Sequence, residues 1–131
     1  RHILDLKKAG LKLIVIDPRF TETAAKADLW LPLRPGSDSA LALAWLNVII
    51  WEGLYDQAFI ENCCVGFEEL SQHVSQYTPE WAAPLTWLTP EQIRAGARMY
   101  ATNRPGNIQW GTAVDQIGRP GGATMHARAL L

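Results

Sequence analysis

The chain has 131 residues with 12 Lys and Arg, 13 Asp and Glu, and a formal net charge of −1. Because the basic residues are dispersed and form no basic stripe, no nucleic-acid partner is expected. The length suits one ordinary domain but not a large multidomain cofactor enzyme, and both ends read as internal, so we expect one segment of a larger chain. The longest apolar stretch, residues 40–51, falls short of the roughly 20 residues that cross a bilayer, so no membrane span is expected.

The first half of the chain predicts short strands alternating with helices. The predicted elements are a helix over 1–9, a strand over 11–16, a helical turn over 24–27, a strand over 29–33 and a helix from 37 or 38 to 53. Gly10 stands where a helix C-cap is expected, and the β-branched run after it is typical of a parallel strand covered on both faces. Ser37 or Asp38 is expected to cap the helix that ends at residue 53. The apolar residues of this helix lie on almost all of its sides, which predicts that most of its surface is buried.

The second half predicts mainly helices. The predicted elements are two short helices between 56 and 77 divided near Gly66, helices beginning at Pro79 and Pro90, a strand over 107–110 and a final helix from about Gly122. Thr78 and Thr89 each precede a proline, the pattern of an N-cap followed by proline at the first helical position. Thr89 with Gln92 also fits a capping box.

Alternating strands and helices without hairpin signals favour a parallel sheet. We therefore predict a single α/β domain over residues 1–131 with a doubly wound, Rossmann-like sheet in three α/β/α layers. In such open sheets, ligands bind beyond the carboxyl ends of the strands. Polar clusters that directly follow the predicted strands are thus the candidate binding residues.

The first cluster, Asp17, Pro18, Arg19 and Phe20, follows the strand at 11–16. A carboxylate there can accept hydrogen bonds from a guanine edge or a ribose hydroxyl, and an Arg fork can bind phosphate. The alternative is a plain turn in which Asp17 accepts local backbone amides and Arg19 is solvated.

The second cluster runs from Arg34 through Gly36, Ser37 and Asp38, between the second strand and the apolar helix. Gly36 allows close backbone approach, and the helix amides and dipole favour a phosphate or an acceptor-rich base edge. The alternative is N-capping of the helix by Ser37 or Asp38.

A third cluster contains Thr112 and Gln116 in a Gly-rich segment after the strand at 107–110. An amide side chain there can pair with the donor and acceptor edge of a pterin, although a loop Gln is more often solvated.

Other kinds of site lack support in the sequence. The three histidines are scattered, with no Ser-His-Asp arrangement and no paired metal-ligand spacing. Cys63 and Cys64 are adjacent, so they lack common zinc or cluster spacing, and we expect them to be packing residues. A nicotinamide-dependent dehydrogenase would need a glycine fingerprint after its first strand, and the chain has none.

The segments IDPRFTETA (16–24) and ADLWLPLRPGSD (27–38) closely resemble the molybdopterin oxidoreductase family of the dimethyl sulfoxide reductase type. The resemblance continues through shorter matches to residue 101 and so covers nearly the whole chain. Trp87 and Leu88 stand where the family usually has a Gly-Val pair, so the resemblance does not predict the loop shape at this point, although it still indicates membership of the family.

The resemblance implies a dinucleotide-binding domain of a larger enzyme that holds a bis(molybdopterin guanine dinucleotide) molybdenum cofactor. The residues that match the family's guanosine-contacting loops are Asp17, Pro18, Arg19 and Phe20 in the first and Gly36, Ser37 and Asp38 in the second. Thr112 and Gln116 match contacts nearer the pterin. The metal-binding residue and an iron-sulfur cluster would belong to the parent enzyme outside this segment.

The implied partners are the remaining domains of the parent chain and electron-transfer subunits, in a prokaryotic cytoplasm or periplasm. The implied parent reaction is a two-electron change at molybdenum, and this segment supplies no acid, base or nucleophile for it. A rival interpretation is a cofactor-free scaffold domain, as in the large subunit of respiratory complex I. The polar set at Asp17, Arg19, Gly36 and Asp38 favours cofactor binding, because a scaffold needs no such combination.

Overall fold

The computed structural model describes residues 2–109 and 111, with the side chain of His2 excepted. The elements in chain order are α1 (His2–Lys8), β1 (Ile14–Ile16), a 3-10 turn (Ala24–Lys26), β2 (Leu29–Leu31), α2 (Asp38–Trp51), α3 (Gln57–Cys63), α4 (Phe67–Val74), α5 (Pro79–Thr86) and α6 (Pro90–Thr102). The predicted elements before residue 103 are confirmed, although both strands are shorter than predicted.

The two strands pair in parallel and bring their carboxyl ends to one edge of the sheet. Ile14 lies opposite Leu29, and Ile16 lies opposite Leu31. The connection between them contains the 3-10 turn, whose Ala24 is buried. The chains that follow β1 and β2 therefore start side by side.

Helix α2 is the centre of the core. Nine of its 14 residues are buried, and it packs against α4, α5 and α6. Leu31 of β2 and Ile93 of α6 are fully buried in the same cluster, next to Trp45. The apolar character of α2 on all sides, visible in the sequence, is thus explained by neighbours on most sides.

Helices α5 and α6 begin as their sequences predict. The Thr78 hydroxyl oxygen accepts from the backbone N–H of Trp81, and Thr89 with Gln92 forms the complete capping box. These caps fix where each helix starts, because they satisfy amides that have no partner within the helix.

Three predictions about the strands and the cysteines differ from the structure. Residues 107–109 are not a strand and pair with no other strand of the described residues; Trp110 and the final helix predicted from Gly122 lie outside those residues. Strand β1 is not covered on both faces by the described residues: Ile14 and Val15 are only half-buried, and Ile16 is exposed. Cys63 and Cys64 are exposed rather than packed, since they lie at the end of α3, a helix without buried residues.

Within the described part of the chain, no helix has the length and apolar character needed to span a membrane.

Candidate functional site

The end of β1 is joined directly to β2. The Asp17 backbone N–H donates to the carbonyl oxygen of Leu31 at 3.2 Å, and the indole Nε1 of Trp30 donates to the carbonyl oxygen of Asp17 at 2.9 Å. Asp17 is thus held by main-chain and side-chain contacts at the sheet edge where β2 also ends.

The first loop is a tight turn with an exposed aromatic ring. Asp17 Oδ1 accepts from the backbone N–H of Arg19 at 2.8 Å, so one carboxylate oxygen is used in the local turn that the sequence left as an alternative. Pro18 and Arg19 are exposed. The ring of Phe20 is 60% exposed and meets Trp30 edge to face, with ring centroids 4.8 Å apart.

The second loop leads from β2 into α2. Gly36 has a φ of +82°, a conformation that glycine adopts most readily. Ser37 is buried, and its hydroxyl donates to the carbonyl oxygen of Arg34 at 2.7 Å.

The expected capping of α2 by Ser37 or Asp38 is wrong. Among the described residues no side chain caps this helix, because the Ser37 hydroxyl is turned toward the Arg34 carbonyl instead. Asp38 is the first residue of α2, is half-buried, and makes no ion pair or side-chain hydrogen bond with the described residues. Within the described part of the chain, the positive end of this 14-residue helix and the Asp38 carboxylate thus have no side-chain partner.

A pocket of about 390 Å³ adjoins the second loop. Its lining consists of Arg34, Pro35, Gly36, Ser37, Ser39 and Ala40 on the loop side, with Leu43, Trp81 and Leu85 opposite. Asp17 and Phe20 do not line it. The pocket therefore lies toward α5 rather than between the two loops.

Two tryptophans near the loops were not predicted as functional. Trp30 supports both Asp17 and Phe20, and the ring centroid of Trp87 lies 5.8 Å from the guanidinium carbon of Arg34. Strand alternation is the signal that could have found Trp30, because it predicts that its side chain leaves the sheet on the face opposite Leu29 and Leu31. Nothing in the sequence pairs Trp87 with Arg34, which lies 53 positions earlier.

A cluster of charged groups around Asp28 lies at the amino ends of the two strands, away from these loops. Asp28 directly precedes β2, and a hydrogen bond from Lys7, together with one from the Leu13 backbone N–H, lowers its pKa to about 2. This cluster ties α1 to the start of β1 and β2, away from the strand ends.

A larger apolar groove of about 830 Å³ lies among α2, α3, α4 and the end of α6. Phe59, Phe67 and Tyr100 are among its lining residues. The predicted site residues that the structure describes do not line it.

Of the predicted site residues, the structure brings the first and second loops to one sheet edge. Thr112 and Gln116 lie outside the described residues. In the described part of the chain, no three His, Cys, Asp or Glu side chains are grouped so as to hold a metal ion.

The model of the molybdopterin oxidoreductase family matches residues 1–126. The chain belongs to this family. It is 51% identical over 114 residues to acetylene hydratase of Syntrophotalea acetylenica, covering 85% of this chain and 16% of that protein. It is 44% identical over 116 residues to formate dehydrogenase H of Escherichia coli, covering 88% of this chain and 16% of that protein.

A solved structure of acetylene hydratase from Pelobacter acetylenicus is similar to this molybdopterin oxidoreductase segment in fold as well. The TM-score is 0.92 at 45% identity, and the similarity covers 98% of this chain and 18% of the other. The chain thus spans less than a fifth of the length of these relatives. The relatives named are enzymes, and membership of the family implies a molybdenum cofactor for the protein to which the segment belongs.

Proposed function

We propose that this chain binds the guanosine and pyrophosphate portion of a bis(molybdopterin guanine dinucleotide) molybdenum cofactor within a larger oxidoreductase. The observation that carries the proposal is the parallel pairing of β1 with β2. It starts the loop at Asp17 and the loop at Gly36 from adjacent strand ends, where open α/β sheets bind ligands.

The second loop suits the phosphate groups. Gly36 keeps the backbone open to close approach, and α2 begins without a side-chain cap from the described residues. Helix amides and the helix dipole favour an anion at such a start. Arg34 lines the pocket beside this loop and adds a positive charge.

The two carboxylates suit the guanine base. Asp38 has no side-chain partner among the described residues. Asp17 uses only one carboxylate oxygen, Oδ1, in the hydrogen bond of its local turn, so its other oxygen can accept from a ligand. A carboxylate accepts hydrogen bonds from the ring N–H and amino group that guanine presents together. The exposed ring of Phe20 offers an apolar surface to the nucleoside, and Arg19 adds a second charge that can meet phosphate.

The remaining parts of the proposal lie outside the described residues. Thr112 and Gln116 would contact the cofactor nearer the pterin. Further strands and helices would complete a doubly wound, three-layer Rossmann-like domain, and other domains of the parent chain would provide the opposite wall, the metal-binding residue and an iron-sulfur cluster. Electron-transfer subunits are the expected partners.

When bound, the cofactor supplies two-electron exchange at molybdenum. This chain's own residues hold and orient its nucleotide end, and none acts as an acid, base or nucleophile. The segment alone would therefore be inactive, and it would bind the cofactor weakly because one wall is missing. The substrate would be set by parent residues over the metal.

The proposal can be tested by titrating the apo form of the full-length protein with GDP. Asp38→Ala is expected to weaken binding roughly tenfold or more, because it removes charge-assisted hydrogen bonds. Glu68→Ala is the matched control, since Glu68 is an exposed carboxylate in the first turn of α4. Equal GDP affinity in the two variants, or no GDP binding by the unaltered protein, would contradict the proposal and favour the scaffold interpretation.

A further inference from the structure

Trp87 has a backbone conformation that a bulky residue rarely adopts. Its φ is +64°, and among the described residues it is the one non-glycine residue with a positive φ. It ends α5 in the left-handed conformation that glycine provides with the least steric penalty. The loop shape expected of glycine is therefore kept although glycine is absent.

Burial of the ring does not compensate for this strain. Trp87 is 67% exposed, so the side chain gains little from the core. Its ring instead faces Arg34, whose guanidinium carbon lies 5.8 Å from the ring centroid. An Arg over a Trp ring at this distance is a favourable cation–π pair.

The backbone beside this pair is fixed. The Arg34 backbone N–H donates to the carbonyl oxygen of Thr86 at 3.0 Å, and the fully buried Thr86 hydroxyl donates to the carbonyl oxygen of Ala82 at 2.9 Å. These hydrogen bonds join the end of α5 and the start of the second loop into one unit. On this unit Trp87 can restrict the long side chain of Arg34.

We propose that Trp87 is a positioning residue that holds the guanidinium of Arg34 ready for the phosphate groups of the bound nucleotide. This inference rests on the proposed function. Arg34 lines the same pocket as Gly36 and Ser37, at the start of α2. A side chain that is already held in place loses less conformational freedom on binding. The strained backbone at Trp87 thus lowers the stability of the fold, while the ordered Arg34 side chain strengthens nucleotide binding.

The test compares GDP and guanosine binding by the apo full-length protein and its variants. Trp87→Gly removes the ring and the strain, Trp87→Phe keeps a ring, and Arg34→Gln removes the charge. Trp51→Ala is the matched control, because Trp51 is also exposed and lies in the last turn of α2, about 20 Å along the helix from its start.

Trp87→Gly is expected to lower GDP affinity roughly two- to fivefold and to leave guanosine affinity unchanged. The control variant Trp51→Ala is expected to bind GDP as the unaltered protein does. Its melting temperature should equal or exceed that of the unaltered protein, whereas a merely structural residue would lose stability and affinity together. In the Arg34→Gln background, Trp87→Gly should have no further effect on GDP binding. Trp87→Phe should keep most of the GDP affinity.

An equal loss from Trp87→Gly with and without Arg34, or no loss while Asp38→Ala still weakens GDP binding, would overturn the inference and leave the proposed function standing. If Asp38→Ala binds GDP as the unaltered protein does, the proposed function itself fails, and the role of Trp87 fails with it.

Discussion

The indole Nε1 of Trp30 and the carbonyl oxygen of Asp17 form a 2.9 Å hydrogen bond across the end of the sheet. The same indole packs against the exposed ring of Phe20. One side chain of β2 therefore supports both the first residue of the candidate loop and its aromatic surface. Trp30 links the geometry of the sheet to the geometry of the loop.

Trp30→Phe should loosen the first loop while keeping an aromatic contact with Phe20. The lost hydrogen bond is worth about 1 kcal/mol, which corresponds to roughly fivefold faster exchange of the Asp17 amide hydrogen if opening is local. Hydrogen exchange followed by mass spectrometry on the full-length protein measures this. Trp51→Phe is the control. If the Asp17 amide hydrogen exchanges at the same rate in Trp30→Phe and in Trp51→Phe, the role given to Trp30 is contradicted.

Gly96→Ala should destabilise the packing of α6 on α2. A Cβ at Gly96 would lie 2.6 Å from Cζ2 of Trp45 and 3.2 Å from Cδ1 of Leu31. Helix propensity favours Ala by about 1 kcal/mol, but overpacking costs typically about 1–3 kcal/mol. Trp45 is only 4% exposed and Leu31 is fully buried, so neither can move aside easily, and we expect a net loss measured as a lower melting temperature.

A second substitution checks the cause of that loss. Trp45→Phe removes the ring atom that the new Cβ would meet, and it also removes an indole N–H that is buried without a partner in the described residues. Adding Gly96→Ala to Trp45→Phe should therefore lower the melting temperature less than Gly96→Ala does alone. Equal decrements in both backgrounds would show that crowding against Trp45 is not the reason.

Acid should weaken the cluster at Asp28. Hydrogen bonds from Lys7 and from the Leu13 backbone N–H, with the charge of Lys12, lower the pKa of Asp28 from 3.8 to about 2. Because the folded-state pKa is depressed, this contribution to stability is present above about pH 4 and is lost as the pH falls toward 2.

Asp28→Asn measures the size of that contribution. The difference in melting temperature between the unaltered protein and Asp28→Asn should be largest near neutral pH and should shrink between pH 4 and pH 2. Glu22→Gln, at an exposed position in the turn before the 3-10 segment, is the control. A difference that stays constant down to pH 2 would argue against the ion-paired role of Asp28.

The elements set by local sequence were predictable. Thr78 and Thr89 start α5 and α6 through hydrogen bonds within three residues, and the apolar pattern of α2 requires burial whatever surrounds it. The parallel pairing of the strands was also predictable, since no hairpin turn joins them. These features depend on neighbours in the sequence or on a strong hydrophobic pattern.

Three other features were not predictable from the sequence. Ser37 or Asp38 was expected to cap α2, but the Ser37 hydroxyl donates to the carbonyl oxygen of Arg34 instead, and a serine side chain can form either of these local hydrogen bonds. Cys63 was expected to pack, but α3 lies on the surface of the described residues. The strand predicted over 107–110 fits its own sequence, yet a strand needs a partner, and 107–109 have none among the described residues.

The proposed function requires that the loops at Asp17 and Asp38 hold the guanine nucleotide. It is tested most directly by acid hydrolysis of the purified full-length protein, followed by measurement of GMP released per protein. We expect GMP from the unaltered protein and from Glu68→Ala, and clearly less GMP from the Asp17→Asn and Asp38→Asn double variant. The new side chains keep an acceptor for the local turn but lose both charges. Undiminished GMP in the double variant, or none in the unaltered protein, would contradict it.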